Sequence, residues 1–162
     1  PTQSSAAPNT SAQKLRKGQL VKDTKTKAYY KILSITSSGG TVAYVKPVGK
    51  KSKSITIAAS TVLDGHTFKV VAVSAKAYKG CSKLQKVTIG KNITSIGKNA
   101  FAGCKKLKKI TIKSTKLKSG AIGKNAFKGT AKNLVVKVSK KQYKAYKKFL
   151  KKKGNKTVKV TK

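Results

Sequence analysis

General acid–base, nucleophilic and metal chemistry draw on Asp, Glu, His and Cys, and this chain supplies five such residues. They are Asp23, Asp64, His66, Cys81 and Cys104. A general acid or base is a carboxylate or imidazole of tuned pKa placed against substrate. Here Asp64 and His66 flank Gly65, where turn formation is the ordinary role of Asp-Gly. A metal site needs three or four N, O or S ligands, and Cys81, Cys104 and His66 are too few and too poorly spaced. No glycine spacing matches a phosphate-binding loop. The sequence therefore implies no enzyme, no metal site and no cofactor.

What it supplies in quantity is positive charge. Lys and Arg total 40 against 2 acidic residues, a formal net charge of +38, and Arg16 is the single arginine. Salt bridges within the molecule cannot hold such a fold, and self-repulsion costs stability, most of all at low ionic strength. The balance points to a polyanionic partner: a wall polymer, an acidic glycan, nucleic acid or an anionic membrane. Lysine is a hydrated point charge on a flexible stem, unlike the bidentate fork of arginine. A lysine surface suits diffuse attraction to a polymer and argues against readout of base edges.

The positions of the lysines follow from a repeat. Val87 and Ile89 recur as Ile110 and Ile112, and Tyr78, Gly80, Cys81 and Leu84 recur as Phe101, Gly103, Cys104 and Leu107. Each pair lies 23 residues apart (87 to 110, 78 to 101, 81 to 104), a period that signals stacked coils. A coil this small cannot bury its own apolar face, so its neighbours must cover it. The strands read apolar-x-apolar: Ile55/Ile57, Val87/Ile89, Ile110/Ile112 and Val136/Val138. Thr56, Thr88, Thr111 and Lys137 then point to the opposite face. The return limb reads Ile96-Gly-Lys-Asn-Ala-Phe101 and again Ile122-Gly-Lys-Asn-Ala-Phe127, with a weaker copy at Val73–Tyr78. Phe101 to Phe127 is 26 residues, which places three extra residues around Ser114–Gly120. The glycines of this limb are expected to let the backbone bend tightly.

The flanks are read as caps. Residues 1–17, rich in Ser, Ala, Thr, Gln and Pro, form an expected disordered linker, and a linker in front implies that the domain belongs to a larger chain. Residues 18–162 form one domain. Residues 18–73 give an N-terminal antiparallel β meander with a hairpin at Asp64-Gly65, and 74–138 give the coils. Residues 139–162 give a capping helix and strand. Ser139 and Gln142 are spaced as a capping box. Tyr143, Tyr146, Phe149 and Leu150 make one apolar stripe, and Gly154 suits the C-terminal cap. The helix also has the composition of a basic membrane-surface helix, but no apolar run is long enough to span a bilayer. Cys81 and Cys104 occupy equivalent places in successive coils. They are either small reduced core residues or, one rung apart, a pair that a disulfide could bridge.

The recurring Ile-Gly-x-x-Ala-Phe, Gly-Cys and Leu at fixed offsets resemble the BspA-type (Treponema-type) leucine-rich repeat, over about Ile55 to Val138. The resemblance implies a β-rich solenoid: a short leucine-rich-repeat stack with an N-terminal meander and a C-terminal helix and strand cap. It also implies a secreted or surface-displayed bacterial protein that binds protein or glycan and is not an enzyme. The chain departs from the pattern at Ala58 and Gly90, where the family often has proline, and at Thr130, which replaces a third cysteine.

The expected function is a non-catalytic extracytoplasmic module that holds an anionic polymer, cell-wall teichoic acid or an acidic glycan, on stacked lysines. The expected site is Lys83, Lys86, Lys98, Lys105, Lys106, Lys108, Lys109, Lys113, Lys124 and Lys137. The alternatives are a host-protein-binding adhesin domain and non-specific nucleic-acid binding, the latter wanting exposed aromatics such as Tyr29, Tyr30 or Tyr44. Added salt or a polyanion should raise the melting temperature by relieving repulsion and by mass action. Melting that stays constant from low to moderate salt in a calorimeter would refute that strained-surface premise.

Overall fold

The computed structural model describes residues 14–162. Most of the expected linker, 1–13, lies outside them, and within them Leu15 already packs against the core. Among the described residues the fold is β-rich, with one short α-helix.

The repeating strands form one parallel sheet. β4 (Ser54–Ile57), β7 (Lys86–Ile89), β9 (Lys109–Ile112), β10 (Val135–Lys137) and β11 (Lys159–Thr161) lie in that order. Register is strict: Ile55, Val87, Ile110, Val136 and Val160 are successive partners. Because side chains alternate across a strand, one face puts Val87, Ile110, Val136 and Val160 into the core, all buried. The other face carries Thr56, Thr88, Thr111, Lys137 and Thr161 in one row.

Opposite the sheet, the return limbs stack through aromatic rings. Tyr78 and Phe101 are 5.2 Å apart and 5° from parallel, and Phe101 and Phe127 are 5.9 Å apart at 7°. Tyr44 extends the column over Tyr78 at 5.2 Å, and Tyr30 closes it edge-on at 5.6 Å. Backbone bonds link the limbs rung by rung, from Tyr78 N to Ala100 O and from Phe101 N to Ala126 O. Gly97 and Gly123 serve close approach rather than bending: a Cβ there would collide with the backbone of Ala75 and of Lys98 respectively. Lys76, Asn99 and Asn125 share the left-handed corner of the limb, with φ of 61°, 57° and 58°. Asn tolerates that corner far better than Lys does.

A second, curled sheet covers the N-terminal end. It comprises β1 (Leu20–Asp23), β2 (Ala28–Thr36), β3 (Gly39–Pro47), β6 (His66–Val73) and β5 (Ser60–Leu63) in that order, with β8 (Ser95–Ile96) continuing from β6. It is not the purely antiparallel meander expected. β3 and β6 run parallel, because the chain leaves after β3 to lay β4 in the other sheet before returning. The Asp64-Gly65 hairpin joins β5 to β6, with Leu63 opposite His66 and φ of 49° and 78° at the turn, as a primed turn requires.

At the other end, α1 (Lys140–Phe149) packs Tyr146 into the core, and the Tyr146 hydroxyl donates to Leu117 O at 2.7 Å. The three additional residues of the third coil thus build the seat for this helix: Ser114 Oγ bonds Ile93 O, and Leu117 is buried. Ser139 does stand at the N-cap, but the capping box does not form. Its hydroxyl meets Gln142 Oε1, and Gln142 Nε2 donates instead to Thr115 O at 2.6 Å, a tertiary bond that outcompetes the local one. Nor is Gly154 the cap of α1, since a 3-10 turn at Leu150–Lys152 follows the helix first. Gly154 is required where its backbone crosses close over Lys128.

Among the described residues the buried Tyr78 hydroxyl has no hydrogen-bond partner, while the equivalent rings below it are Phe101 and Phe127. An unpaired buried hydroxyl costs roughly 1–3 kcal/mol. Tyr78→Phe should therefore stabilise the protein by about 1 kcal/mol in urea denaturation. A destabilised variant would mean that the hydroxyl is satisfied in solution.

Candidate functional site

Five of the ten expected lysines line two adjoining hollows: Lys86, Lys109 and Lys137 on the parallel sheet, and Lys106 and Lys108 in the turn that leads into β9. Lys86 on β7 and Lys109 on β9 are direct register partners, and Lys137 lies on β10. With Lys108, Asn133, Val135 and Thr161 they line an open hollow of about 420 Å³. A second hollow of about 260 Å³ shares Lys108 and Asn133 and adds Gln85, Lys106 and Ala131. The two read as one groove crossing the strands near the turns that enter them. No carboxylate lines it.

The strands put Lys86, Lys109 and Lys137 outward for the reason that they put Val87, Ile110 and Val136 inward: alternation leaves only one face for a polar side chain. All ten lysines are exposed. Lys83 and Lys105 sit in the turns that precede the strands. Lys113 follows β9, and its amide bonds Ile89 O. Lys98 and Lys124 lie on the return limb and line neither hollow. The sequence thus located the lysines but joined two surfaces into one. Asn133, Val135, Gln85 and Thr161 were missed, although the strand register, read through β11, would have found Val135 and Thr161.

The residues that might have done chemistry are placed otherwise. Cys81 and Cys104 are free and buried. Burial pushes the Cys104 thiol up to about 12, helped by Cys81 beside it, and its Sγ donates to Tyr78 O at 3.0 Å. Burial likewise raises the Cys81 thiol, with Lys50 pulling the other way. Neither is an activated nucleophile, which needs a lowered pKa. Among the described residues, no three His, Cys or Asp side chains come together as a metal would require. None of the helices among the described residues is long and apolar enough to cross a membrane.

Asp23, one of the five chemistry-capable residues, proves structural. It ends β1, is buried, and joins the two edge strands of the curled sheet. Its Oδ2 accepts from Thr61 Oγ1 on β5 and Thr26 Oγ1, both at 2.8 Å, and its Oδ1 accepts from the Lys25 amide at 3.0 Å. Burial pushes the carboxyl up, but the bonds from Thr26, Thr61 and the backbone outweigh it and hold its pKa below the ordinary value. In a chain of +38, hydroxyls and amides are the groups that hold this carboxylate.

Fold and geometry together describe a repeat scaffold whose parallel sheet exposes a lysine-bearing face. The chain belongs to the BspA-type leucine-rich-repeat family: the model of the BspA type leucine rich repeat region matches residues 66–161 in six copies, more than half of the sequence. Proteins of this family are generally non-catalytic binding modules. Among solved structures, a leucine-rich cell surface protein from Faecalibacterium prausnitzii is similar at 24% identity and a TM-score of 0.60. The match covers 73% of this chain and 30% of that one. The pneumococcal vaccine antigen PcpA is similar at 21% identity and a TM-score of 0.51, covering 76% and 42%. A leucine-rich repeat protein from Bacteroides ovatus is similar at 22% identity and a TM-score of 0.50, covering 71% and 37%. At these identities the likeness is one of fold, and the chain spans less than half the length of each. No curated protein sequence matches the chain.

Asp23→Asn keeps the shape but loses an acceptor, and should cost about 1–3 kcal/mol at neutral pH. A carboxyl with a depressed folded pKa contributes stability above its unfolded value, about 3.9, and that stability is lost as pH falls through the folded value. Urea midpoints of wild type and Asp23→Asn should therefore differ at pH 7 and converge in acid. Equal midpoints at pH 7 would remove Asp23 from this role.

Proposed function

We propose that residues 18–162 act as one non-catalytic, extracytoplasmic binding module that holds an anionic polymer, cell-wall teichoic acid or an acidic glycan, against the lysine-bearing strand face. The observation that carries this reading is the groove in which Lys86, Lys106, Lys108, Lys109 and Lys137 converge with no acidic side chain among them. Neighbouring strands lie about 4.8 Å apart, and two unit charges at about that spacing repel by close to 1 kcal/mol even in water. An anionic chain laid across the strands turns that repulsion into attraction. Lys83, Lys105 and Lys113 extend the same field at the strand ends. Lys98 and Lys124, on the return limb, add to the long-range potential that draws the polymer in. The surface location of the F. prausnitzii relative is consistent with an extracytoplasmic setting.

Binding of teichoic acid, heparin and duplex DNA, followed by calorimetry, should weaken by at least about tenfold between roughly 50 and 300 mM salt. Lys86→Gln/Lys109→Gln should weaken it further, and Lys98→Gln/Lys124→Gln much less. Affinity indifferent to salt for all three polymers would sink the proposal. Tight, salt-insensitive binding to a host surface protein would put the adhesin reading in its place.

A further inference from the structure

The outward row that carries Lys86 and Lys109 continues through Val135 to Lys159, and begins at Ser54. Val135 is therefore an apolar residue at a position that lysine fills on both sides. The core does not require it: Leu134 and Val136 point inward and are buried, whereas Val135 is half-buried on the outer face and lines the groove. Ala131 lines the adjoining hollow, and the amides of Gln85 and Asn133 stand at its edge. The groove is thus an apolar floor with two neutral amides, ringed by the stems and ammonium groups of five lysines. Lysine stems add apolar surface while their heads stay in water.

Resting on the polyanion reading above, we infer that this groove is a subsite for the pyranose rings of an acidic polysaccharide rather than for a phosphodiester chain. A pyranose ring presents a C–H face that an apolar floor covers, and hydroxyls that amides of Asn and Gln bond. Carboxylates or sulfates on the ring then meet the surrounding ammonium groups. A phosphodiester chain offers closely spaced charge and little apolar surface, so Val135 would contribute nothing to it. A few placed polar groups around an apolar floor is the usual make-up of a small-molecule site. A groove that used charge alone would gain nothing from valine at position 135, between Lys109 and Lys159.

The test uses the full chain, with a short galacturonate oligomer and inorganic polyphosphate of matched charge as probes, titrated by calorimetry at one ionic strength. Val135→Lys should fold, since Lys86 and Lys109 occupy the same register; a single cooperative melting transition, lowered by the added repulsion but well above the titration temperature, verifies this. It should weaken the galacturonate oligomer by at least about fivefold, through loss of the apolar floor, while tightening polyphosphate. Asn133→Ala, at an exposed site, should weaken the oligomer and leave polyphosphate unchanged. If Val135→Lys tightens both probes, charge alone governs the groove and the inference is wrong while the polyanion reading stands. If wild type binds neither probe, both fall.

Discussion

No coil of this chain can bury its own apolar side, and every other feature follows from that constraint. Val87 and Ile110 on the sheet, and Phe101 on the return limb, are covered by the same residue types one rung away. Register is enforced at two walls at once, by the parallel ladder and by the aromatic column. A slip of one residue would bring Thr88 or Thr111 into the core and expose Val87 and Ile110. The N-terminal sheet and the C-terminal helix exist to finish what repetition cannot. Tyr44 and Tyr30 cover the first ring of the column, and Tyr146 and Leu150 close the last coil.

The interior solves a problem set by composition. With 2 acidic residues against 40 basic ones, charge pairing is not available as a general device. Neutral groups fill the places where other proteins use ion pairs. Ser114 ties the third coil to the second, Thr130 and Asn155 tie the last turn to the one before it, and Asp23 is held by hydroxyls and an amide. The bonds of Ser114, Thr130 and Asn155 carry no net charge and are insensitive to the surrounding potential, so the scaffold tolerates an outer surface of almost one sign.

Much of this was legible because the repeat ties residue type to position. The 23-residue spacing gave the strand rows and the ring column, and Asp-Gly gave a hairpin at the right residues. What the sequence could not give were bonds decided by distant partners. Gln142 has a local use in a capping box and a tertiary one at Thr115 O, and only packing selects between them. Asp23 sits in a run of turn residues, and its pairing with Thr61, 38 positions away, leaves no periodic trace. The lysines were placed correctly on strands and limbs, but offsets along the chain do not reveal which side of a coil two offsets share. Val135 escaped notice because the apolar-x-apolar pattern admits Leu134-Val-Val136 without comment.

The parallel sheet ends at β4 and β11, with identical register at every step between them. A copy of the 23-residue coil inserted between β7 and β9 would find its packing partners already in place, above and below. Such an insertion would widen the exposed face by about 4.8 Å. Growth by copying thus lengthens the exposed sheet face without redesign of the core.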